Sequence, residues 1–120
     1  MSDLLGLDAV AARVALDKKA ISAVELVTAY LGAAEATAGL NNYVALTADH
    51  ALAMAAESDK RISSGEAGLL EGLPIGVKDL FCTKGISSTA CSDILKGFVP
   101  NYESTVTANL GRLAGLCSAN

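Results

Sequence analysis

The sequence predicts an α/β chain: a layer of helices first, then one or two strands with no visible partners for a complete sheet. Three observations carry this. Apolar residues recur at helical spacing through the first 64 residues. Leu73-Pro74-Ile75-Gly76-Val77 is a short apolar, β-prone run. From Leu69 onward the texture turns to Gly, Ser, Thr and Cys. The length of 120 residues allows one domain. Hydrophobic residues reach 52%, yet aromatics are 4% and 22 residues are Ala, so the apolar content is small-residue helix material. Nine basic against 13 acidic residues, net −4, argue against a basic nucleic-acid face. A role beside RNA then requires a partner that supplies the basic surface.

The first helix is expected over Leu7 to Leu16, with Leu7, Val10, Ala11 and Val14 on one face and Asp8 at its positive end. Ser22-Ala23-Val24-Glu25 is a capping box that starts the second, with Ile21 and Leu26 placed as a hydrophobic staple. Leu26, Val27, Tyr30, Leu31 and Ala34 form its apolar stripe, and Gly39 stops it. Tyr43 to Leu46 reads as a short strand. Thr47 then caps a third helix to about Ile62, with Leu52, Ala55, Ala56 and Ile62 inward and Asp59, Lys60 and Arg61 toward water. Beyond the Leu73–Val77 strand, Asp93 to Phe98 suits a short helix, and Glu103-Ser104-Thr105 caps a last one carrying Val106, Leu110 and Leu113.

Lys78 stands out chemically. It closes an apolar strand and borders a Gly/Ser/Thr loop, so a partly desolvated amine of lowered pKa is expected there. A neutral lysine takes a proton from a serine hydroxyl in Ser–Lys catalysis. The alternative is a lysine that reaches water or pairs with Asp79. Thr83, Ser87, Ser88, Thr89 and Ser92 are candidate hydroxyls, or simply loop residues. His50, the one histidine, sits among polar neighbours and is expected to be solvated. Cys82, Cys91 and Cys117 have no metal or disulfide spacing and are expected as small buried or half-buried thiols. No phosphate loop, carboxylate pair or metal-ligand cluster is evident, and no cofactor is expected on this chain. No apolar run suits a membrane span and Asp3 sits where a signal peptide needs basic charge, so a cytoplasmic chain without membrane contact is expected.

The run Leu73-Pro74-Ile75-Gly76-Val77-Lys78-Asp79-Leu80-Phe81-Cys82-Thr83-Lys84-Gly85-Ile86 resembles the lysine-bearing segment of the amidase signature family. More narrowly, it is similar to the A subunits of aspartyl/glutamyl-tRNA amidotransferases. Ala90-Cys91-Ser92-Asp93-Ile94-Leu95, Gly97-Phe98-Val99-Pro100 and Tyr102-Glu103-Ser104-Thr105-Val106 extend the likeness, which runs from about Leu4 to Leu110. The resemblance implies an amidase signature fold, with this chain as an N-terminal part of a larger mixed sheet covered by helices. It implies a Ser–Ser–Lys triad in which Lys78 supplies the lysine. It implies glutamine as substrate, with ammonia passed to a B subunit that activates misacylated tRNA using ATP, and with a small C subunit clamping the two together. The tRNA would be met only through that complex.

The family's signature segment and both serines would fall beyond residue 120. Residues 1–120 are therefore expected to be a partial amidase domain: a helical layer over about 4–64, the lysine-bearing strand and loop over 69–99, and a final helix over about 103–114. After Leu110 the text leaves the family pattern, which continues to a strand ending Gly-Lys. The residues from Leu116 to Asn120 permit a back-translation containing Met-Leu-Gly-Lys in a shifted frame, the reading of a frameshift just after codon 110. The chain alone is expected to be inactive and to fold poorly by itself. A truncated amidase for another amide, or a non-catalytic helical docking fragment, are the alternative readings.

Overall fold

The computed structural model describes residues 2–113 and 117–119. Four helices come first: α1 (Ser2–Leu5), α2 (Ala9–Asp17), α3 (Ala23–Ala36) and α4 (Ala48–Ser64). The starts of α2 and α3 are written in local chemistry, while Thr47, expected to cap α4, makes no side-chain capping bond there. The Asp8 carboxylate accepts from the Ala11 N–H at 2.7 Å and caps α2. At α3 the capping box closes both ways: Glu25 N–H donates to Ser22 Oγ at 3.0 Å, and Ser22 N–H donates to the Glu25 carboxylate at 2.8 Å. α4 ends at Gly65, whose left-handed φ of +79° turns the chain away.

The core is the meeting of α2, α3 and α4. Ala12 and Leu16, then Ala23, Leu26 and Val27, then Ala51 and Ala55 are buried together, with Leu73 closing the end. Alanine at four of these places lets the helix backbones approach closely. Full burial of Leu16 and Leu26 is worth about 2 kcal/mol each. The turn at 69–72 lies directly on this core. A Cβ at Gly72 would sit 3.1 Å from Leu16 Cδ1 and 3.2 Å from the Ala23 Cβ, and φ there is +80°, so glycine is required twice over.

The polar face of α4 departs from its periodicity. Asp59 accepts from the backbone N–H groups of Ala23, at 2.7 Å, and Val24, at 3.2 Å, and so neutralises the positive end of α3. Arg61 forms an ion pair with the buried carboxylate of Glu71, which also accepts from Ser58 Oγ at 2.9 Å. Arg13 of α2 donates to the Glu71 carbonyl at 2.7 Å. Two of the charges expected to face water, Asp59 and Arg61, thus tie α4 to α3 and to the 69–72 turn, and Arg13 adds α2. Lys60 alone of the three keeps to the surface, beside Glu57. Ala56, expected inside, is exposed, and Ala51 and Ser58 take the inward face instead.

Tyr43 to Leu46 is a loop rather than a strand. It has no strand neighbour among the described residues, and Tyr43, Val44 and Leu46 are exposed. Strand β1 (Pro74–Gly76) pairs in parallel with β2 (Cys117–Ala119), with Ile75 opposite Ser118. Between them runs α5 (Thr105–Leu113), begun by Ser104 Oγ, which accepts from the Thr107 N–H at 3.2 Å. Residue 114, the expected end of this helix, lies outside the described residues. The Leu113 carbonyl accepts from Leu70 N–H at 2.8 Å and docks α5 on the 69–72 turn. Asp93–Leu95 is a single 3₁₀ turn, shorter than the helix expected to Phe98.

Candidate active site

β1 delivers the chain to Lys78. Past the strand end, burial alternates: Val77 and Asp79 are buried while Lys78 and Leu80 are exposed. This alternation answers the expectation of a desolvated lysine. With Val77 and Asp79 turned inward, Lys78 is turned outward, and among the described residues its side chain is not buried. The Lys78 carbonyl accepts from Phe81 N–H at 3.0 Å, which closes a turn immediately after it.

Asp79 does not serve as an ion partner for Lys78. Its carboxylate accepts from the Thr89 N–H at 3.0 Å, the Thr89 hydroxyl at 2.7 Å and the Cys91 N–H at 3.4 Å. Its carbonyl accepts from Ala90 N–H at 3.0 Å. Burial pushes the Asp79 carboxyl up, but the hydrogen bonds from Thr89 and Cys91 outweigh it and hold the group below the usual carboxylate range. Ala90 and Cys91 lie at φ +49° and +54°, a left-handed pair that costs about 1 kcal/mol or more per residue for L side chains. The Asp79 contacts hold that bend in place.

The rest of the loop is stapled to the segment leading into α5. Gly85 N–H donates to the Pro100 carbonyl at 3.0 Å, Ser88 N–H to Phe98 at 3.1 Å, and Ser104 N–H to Cys82 at 2.8 Å. Lys84 N–H donates to the Glu103 carboxylate at 2.8 Å. The candidate hydroxyls are mostly occupied by this structure. Thr89 Oγ1 is given to Asp79, and buried Ser88 Oγ donates to the Ile86 carbonyl at 3.2 Å. Thr83 Oγ1 is buried without a hydrogen-bond partner. Ser92 is half-buried at the start of the 93–95 turn.

Of the thiols, Cys82 is placed as expected and Cys91 is not. Cys82 is half-buried, but Cys91 is exposed because the left-handed bend turns it outward; the Cys117 side chain lies outside the described residues. The Cys82 thiol lies 3.3 Å from the Tyr102 hydroxyl, and that hydrogen bond holds the phenol above its ordinary range. His50 is exposed on α4, as its neighbours suggested. Among the described residues no group of three His, Cys, Asp or Glu side chains is arranged to hold a metal ion, and no helix is long and apolar enough to cross a membrane. Sequence reasoning singled out Lys78 and did not foresee the contacts that Asp79 makes with Thr89 and Cys91. The available signal was an acid placed ten residues before a threonine in a loop rich in turn formers.

The sequence matches the Amidase family profile over residues 25–118. It is 58% identical over 112 residues to the A subunit of the glutamyl-tRNA(Gln) amidotransferase of Parvibaculum lavamentivorans, covering 93% of this chain and 23% of that protein. To the corresponding A subunit of Brucella ovis it is 59% identical over 111 residues, 92% of this chain and 22% of the other. The chain thus spans under a quarter of the length of the curated relatives it matches. Among solved structures it superposes at TM-score 0.83 and 30% identity on a bacterial aryl acylamidase of the amidase signature enzymes, covering 95% of this chain and 25% of that one. It superposes at TM-score 0.87 and 28% identity on a chain of a vestigial complex tied to the origins of an s-triazine catabolic enzyme, covering 95% and 26%. The match over residues 25–118, in a fold shared with these amidases, makes this chain a member of the amidase family.

Proposed function

We propose that this chain is the lysine-bearing N-terminal part of a glutamine-hydrolysing A subunit of a tRNA-dependent amidotransferase, and that Lys78 is the base of its Ser–Ser–Lys triad. One observation carries the choice within the family: identity is 58% to the A subunit of Parvibaculum and 30% to the aryl acylamidase, although both align over nearly the whole chain. An amidase for a different amide is the second reading, and this gradient disfavours it. In the proposed chemistry Lys78, neutral, draws a proton through one serine from a second, whose oxygen attacks the carboxamide carbon of glutamine; the C–N bond breaks as that proton passes to the departing nitrogen, ammonia leaves and is passed on, and water hydrolyses the acyl-serine to glutamate. Lys78 is exposed here, so the low dielectric that a neutral amine needs is assigned to the segments by which the relatives are longer. The B and C subunits, ATP consumed by B, and Glu-tRNA(Gln) or Asp-tRNA(Asn) as acceptor belong to the same proposal.

The test is a chimera in which residues 4–110 of this chain replace the matching segment of the Parvibaculum A subunit, assembled with its B and C partners. Ammonia release from glutamine and amidation of Glu-tRNA(Gln) should both be retained. Lys78→Ala should lower glutaminase kcat by about 10²-fold or more, the scale of a lost general base. Lys78→Arg should be nearly as damaging, because guanidinium keeps its proton at neutral pH. Near-normal turnover in the Arg variant would refute the base role. The 120-residue polypeptide alone should release no ammonia above buffer.

A further inference from the structure

We infer that Asp79 is a positioning residue for Lys78: by anchoring itself to Thr89 and Cys91, its carboxylate fixes the face of the chain from which the Lys78 amine projects. This rests on the proposed role of Lys78 and adds to it the device that aims the amine.

The geometry leaves few other means of orienting that side chain. Lys78 lies beyond β1, so no strand ladder fixes its backbone. Its two neighbours do so from opposite sides. Val77 is buried, and Asp79 is buried with three hydrogen bonds to its carboxylate and one to its carbonyl. Lys78 between them is exposed, at the start of the turn closed by Phe81 N–H, so the two buried neighbours hold the backbone that carries its side chain outward. Val77 alone is a pivot about which the end of the strand can turn; Asp79 supplies the second point. The anchor is polar because its counterpart is a loop, whose left-handed Ala90–Cys91 bend brings two N–H groups and a hydroxyl to one carboxylate. An apolar side chain at 79 would leave those donors unpaired.

The reaction is sensitive to such aim. A misplacement of about 1 Å costs on the order of 10²-fold in rate. In the chimera, Asp79→Asn keeps the size of the side chain but replaces one acceptor by a donor that faces N–H groups. The expected result is a fall in kcat of about 10-fold to 100-fold, with KM for glutamine within about twofold, because the amine acts on the transition state. Thr89→Val, which removes only the hydroxyl bond, should show a smaller fall of the same kind, and Thr89→Ser should restore it.

The deciding measurement is a double-mutant cycle. If Asp79 acts through Lys78, then in a Lys78→Ala background Asp79→Asn should add less than about twofold. A merely structural role would lower activity by the same factor in both backgrounds, and that result would overturn the inference. So would full kcat in Asp79→Asn beside a dead Lys78→Ala, an outcome that leaves the proposed function standing. Retained glutaminase in Lys78→Ala removes the proposed role of Lys78 and the inference with it. Should Asp79→Asn fail to fold, the Thr89→Val and Thr89→Ser pair carries the same cycle.

Discussion

The helical layer and the lysine loop are built on opposite plans. In the layer, side chains of α2, α3 and α4 meet in a continuous apolar core, and the Arg61–Glu71 ion pair lies at the edge of that core. In the loop, from Val77 to Thr107, the buried apolar side chains are few, notably Val77 and Ile86, while Leu80, Ile94, Phe98, Val99, Tyr102 and Val106 stand in water. What shapes the loop is hydrogen bonding: Asp79 to 89–91, and the 82–88 segment to 98–104. The layer's stability is therefore local to itself. The loop's form is specified, but little apolar burial among the described residues supports it, and such segments are the ones that open first.

The largest effect expected from this contrast is at the layer's ion pair. Arg61→Ala removes the guanidinium from the Glu71 carboxylate, which is only 2% exposed, and should cost about 3–5 kcal/mol, the scale of breaking a buried ion pair from one side. Measured by hydrogen exchange, the loss should spread through α2, α3 and α4 at once. Confinement of the change to the 69–72 turn would show that Glu71 is not shared by the helices. A core truncation should come next. Leu26→Ala should cost about 2–5 kcal/mol, whereas Ile94→Ala in the loop, at a side chain 93% exposed, should stay within about 0.5 kcal/mol. Equal losses at the two sites would erase the distinction between the regions. Smaller again is the cap supplied in trans. Asp59→Ala should cost about 1 kcal/mol and fray the first turn of α3 in particular, seen as faster exchange at Ala23 and Val24.

How far each region was legible in the sequence follows from how far apart its partners lie. The capping box of α3 was legible because Ser22 and Glu25 are neighbours. Asp59 and Arg61 were misread for the converse reason. Periodicity places a charge on the wet face of its own helix and carries no information about a carboxylate that caps another helix 36 residues away, or one ten residues on that folds back over the charge. Tyr43 to Leu46 shows the limit for strands: an apolar run of the right length becomes one only if a neighbouring ladder exists. At the candidate site, Lys78 was legible through its strand and its likeness to a family segment. Its exposure and its support were not. Both depend on Asp79, whose partners come from a bend at Ala90 and Cys91 that no residue type at those positions announces.

The loop's dependence on one carboxylate yields the smallest and most specific effect. Because hydrogen bonds hold Asp79 below its ordinary range in the folded chain, its contribution to stability is complete above the unfolded value of about 3.9 and is lost as pH falls through the lower, folded value. Acidification should therefore loosen the contacts at Thr89 and Cys91. The amide resonances of those two residues, followed through an acid titration below about pH 4, should shift together. In Asp79→Asn they should begin in the loosened position and stay there. Coincident movement of α3 amides in the unsubstituted chain, absent from Asp79→Asn, would mean that loop and layer form one cooperative unit, with Asp79 supporting more of the fold than the 89–91 bend.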